Sequence, residues 1–322
     1  MIITKTPFRM SFFGGGTDFP DFYRKHGATV LSATIDKYCY VTLRDLPALY
    51  PYSSEAVYSK TERVGAVYEI EHPLIREALL WQGLSRVHVA YDADLPARSG
   101  LGTSSAFAVG LLHAIHQKRG EDVTRAELAR EAIYLERTLC RESGGVQDQI
   151  AAAFGGLNRI DFEGEDFTVT PLSLEPMRLQ ALQASLMLFF TGVSRYSMEL
   201  QTAHQAALPQ KTAELCRMRD MAREGAALLE STASLDDFGV FLHEGWRLKR
   251  SITDRITNAY IDDLYDRARA AGAIGGKLLG AGGGGFLLFY VPSERRAAVR
   301  KALEGLKEIP FSFENKGTHR LG

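Results

Sequence analysis

Hydrophobic and polar positions along this chain switch between two periods, and the switches mark its elements. Ile35 to Leu43 is rich in β-branched and aromatic residues and sets Tyr38, Tyr40 and Thr42 against Cys39, Val41 and Leu43, the period-two pattern of a strand. Val87 to Tyr91 reads the same way. Within Ser105 to Lys118, Phe107, Leu111, Leu112 and Ile115 recur at helical spacing, directly after the glycine-containing Ser99 to Ser104 and ahead of Gly120. A loop therefore feeds a helix N-terminus there. Thr124 with Glu127 forms a capping-box pair, and Leu128, Ala132, Leu135 and Leu139 carry that helix to about Cys140. Gly144 and Gly145 break the chain before another helical stretch, which runs from near Val146 through Ala153 and stops at Gly155 and Gly156.

Past about Pro171 the texture changes. A strand at Ser185 to Phe190 precedes helical patterns over Ser194 to Ala207, Gln210 to Glu230, Leu235 to Arg250 and Ala259 to Ala271. The chain closes with a strand at Phe286 to Val291, a helix at Glu294 to Leu306 and a final strand near Phe311 to Glu314. Alternating strands and helices with antiparallel returns predict an α+β fold. At roughly 150 residues per domain, 322 residues make two, and the change of texture places them at 1–170 and 171–322.

Composition removes several function classes. Hydrophobic residues at 45% and charged residues at 24% fit a globular chain and exclude a disordered or coiled-coil one. Lys plus Arg number 38 against 39 Asp plus Glu, with no basic block to neutralise a row of phosphates, so no nucleic acid partner is expected. Cys39, Cys140 and Cys216 are far apart and odd in number, which supports neither a disulfide framework nor a zinc ribbon. The first apolar run carries Lys5 and Arg9 and does not read as a signal peptide, and no stretch is apolar for the roughly 18 residues of a membrane helix. A cytoplasmic protein is expected.

Chemistry gathers at the glycine clusters. In Pro96 to Ala106, PARSGLGTSSA, backbone N–H groups and the positive end of a helix dipole converge, the arrangement that binds anions. The hydroxyls of Thr103, Ser104 and Ser105 add phosphate donors and magnesium ligands; a capped helix after a turn is the plain alternative. Gly276-Lys277 is followed by Leu278, so no Walker-type loop is present, and G-x-G-x-x-G at Gly280, Gly282 and Gly285 leads into a strand, which excludes a dinucleotide fold. The run Gly282 to Gly285 instead allows a tight turn against a ligand or another backbone. Glu136 falls over Ala129, Ala132, Ile133 and Cys140, on the side that should be packed, so it needs a cation, either a metal or Arg137 or Arg141. Asp148 lies in the first turn of the next helix, placed to accept a hydroxyl proton or simply to stabilise that helix. Arg9, in a strand, could meet transferring phosphate charge, and Asp18, after three glycines, could accept from sugar hydroxyls.

In this order the segments Thr6 to Asp18, Arg98 to Ala106 and Lys277 to Phe286 resemble the three motifs of the GHMP small-molecule kinases, over nearly the whole chain. The wording PFRMSFFGGGTDFPDFY, GGVQDQIAAAFGG and KLLGAGGGGF is most similar to the kinases of D-glycero-D-manno-heptose 7-phosphate, with fucose-type sugar kinases next. Where galactokinases carry a Glu-His pair, this chain has Gly15-Gly16. The resemblance implies a mixed α/β N-terminal domain binding ATP and magnesium, and a ferredoxin-like C-terminal domain with extra helices on the substrate side. It implies that Gly100, Leu101, Gly102, Thr103, Ser104 and Ser105 cradle ATP, and that Ser104 and Glu136 hold Mg²⁺. Asp148 would then be the base, assisted by Arg9, and Gly16, Thr17, Asp18, Gly282 and Gly283 would meet the sugar. Arg195 and Lys277 are the candidates for a phosphate already on it, with surface or structural cations as the alternative. The implied reaction phosphorylates the anomeric C1 hydroxyl of D-glycero-α-D-manno-heptose 7-phosphate to the 1,7-bisphosphate, for nucleotide-activated heptose. An anomeric kinase of an unphosphorylated fucose-type or galactose-type sugar, and a non-catalytic sugar and ATP sensor, are the alternatives. Expected partners are a sugar or sugar phosphate, no nucleic acid and no membrane, with a homodimer as the candidate assembly.

Overall fold

The computed structural model describes residues 1–97, 99–193, 202, 205 and 210–322. Strand β1 (Ile2–Phe13) runs antiparallel to β2 (Ala28–Asp45), with helix α1 (Pro20–His26) between them. At 18 residues β2 serves two further neighbours, pairing through Cys39 to Asp45 with β5 (Val87–Ala93) and through Ala28 to Ala33 with β6 (Leu157–Glu163). Strand β3 (Ser54–Val57) lies parallel to β5 and carries β4 (Thr61–Val64) outside it, while β7 (Asp166–Pro171) pairs with β6. The register of β1 on β2 slips between Pro7 and Phe8 and again between Ser11 and Phe13. Bulges of this kind re-aim side chains, and Arg9 and Ser11 lie between these two.

Helices α2 (Pro73–Trp81), α3 (Thr103–Arg119), α4 (Arg125–Tyr134) and α5 (Gln147–Phe154) complete this part. Helix α3 lies close on β1, where the Thr4 hydroxyl donates to the Gly110 carbonyl at 2.8 Å, and its apolar side chains fill the core over the sheet. Thr124 caps α4 as expected, its Oγ1 accepting from the Glu127 N–H at 3.2 Å while the Glu127 carboxylate takes the Thr124 N–H at 2.9 Å.

After α6 (Pro176–Ser185) comes a second sheet, built from β8 (Leu186–Phe190), β9 (Gly275–Leu278), β10 (Phe286–Tyr290) and β11 (Lys307–Glu308). Its order is β11-β8-β10-β9 with every pair antiparallel, which is the ferredoxin-like order. Helices α7 (Thr212–Glu230), α8 (Leu235–Arg250) and α9 (Ala259–Ala270) enter between β8 and β9, and α10 (Arg296–Ala302) precedes β11. Trp246, Tyr265 and Phe289 form the centre of this core. The two parts share packing, because Gly225 of α7 abuts the Phe13 ring closely enough that a Cβ there would lie 2.8 Å from it.

Two expected elements change. In place of a strand at Phe311 to Glu314 there is a single bridge from Phe313 to Ile35, after which β12 (His319–Arg320) adds to β1. The tail thus returns to the first sheet, where the Tyr38 hydroxyl donates to Glu314 at 2.5 Å. The helix expected to reach Leu306 ends at Ala302. The helix expected over Ser194 to Ala207 lies, apart from Thr202 and Gln205, outside the described residues. Among the described residues no helix is long and apolar enough to cross a membrane.

Candidate active site

Arg9 reaches from β1 to the first turn of α5. Its Nε donates to Asp148 Oδ1 and its Nη2 to Oδ2, both at 2.7 Å, and Nη1 donates to the Gly100 carbonyl at 2.6 Å. The Arg9 backbone N–H also bonds the Leu101 carbonyl at 3.0 Å. One residue thereby ties the loop before α3 to the start of α5, and the fork geometry fixes the plane of the carboxylate. The Arg9 side chain is 6% exposed and that of Asp148 is 23% exposed, so the acid has one open side. That side faces a cavity lined also by Ser11, Gly16, Asp18, Gln147 and Lys249.

Asp18 is buried and clamps two loops. Its Oδ1 accepts from the Gly16 N–H at 2.9 Å and its Oδ2 from the Gln147 N–H at 3.1 Å, while its carbonyl takes the Val146 N–H at 3.1 Å. Burial lifts the Asp18 carboxyl above the ordinary range, the nearby Asp148 charge adding to this and the Gly16 and Gln147 N–H groups opposing it. Gly145 is required where it stands, since a Cβ there would lie 1.9 Å from Asp18 Oδ2. Gly16 lines the cavity. Thr17 is a correction: its hydroxyl donates to the Gly14 carbonyl at 2.8 Å, closing the turn behind the wall rather than facing a sugar.

The loop of Gly100 to Ser105 divides its residues between two tasks. Leu101 is fully buried and serves Arg9 through its carbonyl. Gly102 sits in the left-handed region at φ 71°, where a Cβ would be 3.2 Å from Arg9 and 3.3 Å from Asp148. Gly100 meets the third glycine motif backbone to backbone: a Cβ on Gly280 would lie 2.4 Å from Gly100 Cα. Thr103 is buried in the first turn of α3 and Ser104 is exposed. Ser105 is buried, and its hydroxyl donates to Glu136 Oε2 at 2.7 Å, so that hydroxyl is engaged by the carboxylate and is not a free phosphate donor as expected.

Glu136 is 1% exposed and sits in a π-helical turn, Leu135–Leu139, that follows α4. Such a turn shifts the face a residue presents and recurs at functional sites. Oε2 also accepts from Gln149, whereas Oε1 is buried with no hydrogen-bond partner. Arg137, one of the expected partners, instead donates Nη1 to the Glu142 carbonyl at 3.0 Å. An orphaned anionic oxygen in the interior is costly unless a cation meets it. A hard divalent cation such as Mg²⁺ suits this oxygen, while Ser104, the other expected ligand, is exposed one residue before the Glu136-bonded Ser105.

The third motif contributes Lys277, Gly280 and Ala281 to the cavity. Gly282 and Gly283 do not reach it: the Gly283 N–H bonds the Ile256 carbonyl at 3.0 Å, and a Cβ on Gly282 would strike Ile256 at 2.7 Å. Their expected contact with the sugar is corrected accordingly. The Lys277 Nζ is buried in the wall and donates to the Phe12 carbonyl at 2.7 Å. Burial, then Lys249 and Arg9, push it well below the usual lysine range. Arg195 lies outside the described residues.

Four further residues line the cavity, of which the sequence pattern singles out Arg137 alone, and for Glu136 rather than for this wall. Lys249, in the last turn of α8, is 6% exposed and donates to the Gly280 carbonyl at 2.6 Å. Burial and then Arg9 lower its pKa to about 8, against the opposite pull of Asp18 and Asp148. Ser11 Oγ, Gln147 Oε1 and Arg137 Nε are buried in the same wall without hydrogen-bond partners. Unsatisfied donors and acceptors clustered beside carboxylates and cations are the lining of a polar ligand site.

A glycine-rich loop at a helix N-terminus, packed on a second glycine turn and facing a clamped carboxylate, suits the transfer of a phosphoryl group. Residues 64–156 match the N terminal domain of the GHMP kinases and residues 226–308 their C terminal domain. The chain belongs to the GHMP kinases, which move a phosphoryl group from ATP to a hydroxyl acceptor. It is 29% identical to the D-glycero-alpha-D-manno-heptose 7-phosphate kinase of Campylobacter jejuni, across 98% of this chain and 97% of that one. It is 27% identical to the bifunctional fucokinase/GDP-fucose pyrophosphorylase of Arabidopsis thaliana, across 96% of this chain and 32% of that protein. The crystal structure of a D-glycero-D-manno-heptose 1-phosphate kinase from Bacteroides thetaiotaomicron superposes with a TM-score of 0.81 at 26% identity, over 100% of this chain and 99% of that one.

Proposed function

We propose that this chain phosphorylates the anomeric C1 hydroxyl of a sugar, and that the sugar is D-glycero-α-D-manno-heptose 7-phosphate, giving the 1,7-bisphosphate. The observation that carries the reading is Asp148, held on both oxygens by Arg9 at 2.7 Å beside Gly102 of the glycine-rich loop. In phosphoryl transfer the protein aligns two substrates and offsets charge, with little covalent work of its own. Asp148, with its free lone pairs on the cavity side, orients the acceptor hydroxyl and takes its proton. Arg9 fixes that carboxylate and the loop carbonyl of Gly100 in one frame, which makes it a positioning residue. Gly16 and Asp18 shape the acceptor side, where Ser11 and Gln147 present unpartnered polar atoms.

Backbone N–H groups of the loop and first turn from Gly100 to Ser104 receive the ATP phosphates. Glu136 Oε1 and the Ser104 hydroxyl would hold Mg²⁺, which when bound offsets charge on the phosphates. Lys277 in the cavity wall, and Arg195, are the groups proposed for a phosphate already on the acceptor. Similarity over nearly the full length of both chains to the Campylobacter heptose 7-phosphate kinase supports the choice of sugar, and the names of the two heptose kinases differ in where the substrate phosphate stands. ADP release on addition of each sugar, with ³¹P resonance assignment of the product, tests the reading. A new anomeric phosphate formed from the heptose 7-phosphate supports it. Turnover confined to unphosphorylated sugars would replace heptose phosphate as the acceptor.

A further inference from the structure

We propose that the Lys249 ammonium is an anion site of this cavity that takes a phosphoryl oxygen beside Asp148, a role that rests on the kinase reading above. Lysine is seldom buried without a partner of opposite charge, and Lys249 is 6% exposed on the apolar stripe of α8 that also carries Phe238, Leu242 and Trp246. Three N–H donors sit on its nitrogen, and the hydrogen bond it makes goes to the Gly280 carbonyl at 2.6 Å. Gly280 abuts Gly100, so this carbonyl stands at the junction of the third glycine motif and the phosphate loop.

The charges around it point to an anionic guest. Arg9 from β1, Lys249 from α8 and Lys277 from β9 are buried cations, facing the carboxylates of Asp18 before α1 and Asp148 in α5. Arg9 and Asp148 satisfy each other, and Lys277 is directed at the Phe12 carbonyl. Asp18 already accepts backbone N–H groups on both oxygens. That leaves three buried basic side chains to two carboxylates, with Arg137 in the same wall, and Lys249 spends one of its three N–H donors on a carbonyl, as Lys277 does. A phosphoryl group supplies negative charge and acceptor oxygens together. It comes from one of two sources, the group in transfer or a phosphate already on the acceptor. Burial and then Arg9 lower the Lys249 pKa to about 8 against the opposite pull of Asp18 and Asp148, with Lys277 and Arg137 the other basic groups of the cavity, so the free enzyme loses this charge just above neutral pH.

The test compares wild type with Lys249→Met, which keeps an unbranched side chain of similar length, and Lys249→Arg. Lys249→Met is expected to lower kcat/KM for the phosphorylated heptose by about 100-fold, the size of a lost buried charge contact. A matching loss on an unphosphorylated sugar identifies the moving group as the anion, and a loss confined to the phosphorylated sugar identifies the acceptor's own phosphate. Lys249→Arg is expected to retain most activity and to move the alkaline limb of kcat/KM from near pH 8 to beyond about pH 10. Independently of turnover, inorganic phosphate titrated by calorimetry should bind wild type at least about tenfold more tightly than Lys249→Met. Should wild type use neither sugar yet bind phosphate through Lys249, the acceptor assignment fails and this inference stands. Equal phosphate affinity in wild type and Lys249→Met, or an alkaline limb unmoved in Lys249→Arg, would overturn it.

Discussion

Arg9 grips Asp148 through two parallel hydrogen bonds, Nε to Oδ1 and Nη2 to Oδ2, each 2.7 Å long. A lysine at position 9 would carry the charge without the fork, leaving the carboxylate free to rotate. Arg9→Lys should therefore lower kcat by about 10- to 1000-fold with a small change in the KM for ATP, in line with the cost of a misplaced catalytic group. Asp148→Asn should lower it by about 10²- to 10⁴-fold. Steady-state kinetics with both substrates varied checks each, and unchanged turnover in Asp148→Asn would remove that residue from proton transfer.

Glu136 offers one oxygen to Ser105 and Gln149 and leaves the other without a partner. If that oxygen meets Mg²⁺, Glu136→Ala should raise the concentration of Mg²⁺ needed for half-maximal activity by about tenfold or more, as loss of a charged ligand does. Titrating Mg²⁺ at saturating ATP checks this. A wild-type Mg²⁺ dependence in the variant would move the metal elsewhere.

The contact between Gly100 and Gly280 ties the glycine-rich loop before α3 to the second sheet. Gly280→Ala should cost about 1–3 kcal/mol, since its Cβ would meet Gly100 Cα at 2.4 Å and its φ is 77°. Gly164→Ala makes the control, because its φ is 60° but nothing lies within 4 Å of the added carbon. Thermal unfolding of the two variants should show the larger loss for Gly280→Ala, accompanied by a raised KM for ATP. Equal losses would mean that strain in the backbone, and not the approach to Gly100, sets the cost.

Holding Lys249 charged in the interior has a stability consequence with a defined sign. Its folded-state pKa of about 8 lies below the ordinary lysine value, so the folded protein binds that proton less well than the unfolded chain. The cost is full below about pH 8 and fades as the pH rises toward the ordinary value, which for a shift of this size is up to about 3 kcal/mol. Lys249→Met should be more stable than wild type at pH 7, and the difference should shrink between pH 8 and 10. Urea unfolding at both ends of that window measures it. A variant less stable than wild type at pH 7 would mean that Lys249 is held for packing.

Much of this site was legible because its residues flank glycine runs. Arg9, Asp18, Asp148 and the loop at Gly100 stand beside breaks in the hydrophobic pattern, where chemistry stands out from packing. Glu136 was legible as an acid on a face that should be packed, but the π-helical turn that aims it leaves no mark in the spacing. Ser104 and Ser105 are neighbours in one helical turn, about 100° apart, so which one faces inward depends on how α3 sits on the sheet. Lys249 falls on the stripe of Phe238, Leu242 and Trp246, and that was the signal. It was masked because a lysine in the last turn of a helix is also what the helix dipole favours. The return of the tail to β1 depends on pairing across more than 300 residues, between Lys5 and His319, which local pattern does not encode.

The most direct measurement mixes wild-type protein, ATP and Mg²⁺ with D-glycero-α-D-manno-heptose 7-phosphate and follows ADP, with Asp148→Asn in parallel. The expected result is one ADP per sugar consumed, a new phosphate at C1 and little product from Asp148→Asn. Release of ADP at the same rate with and without sugar, or a rate unaltered by Asp148→Asn, would contradict it.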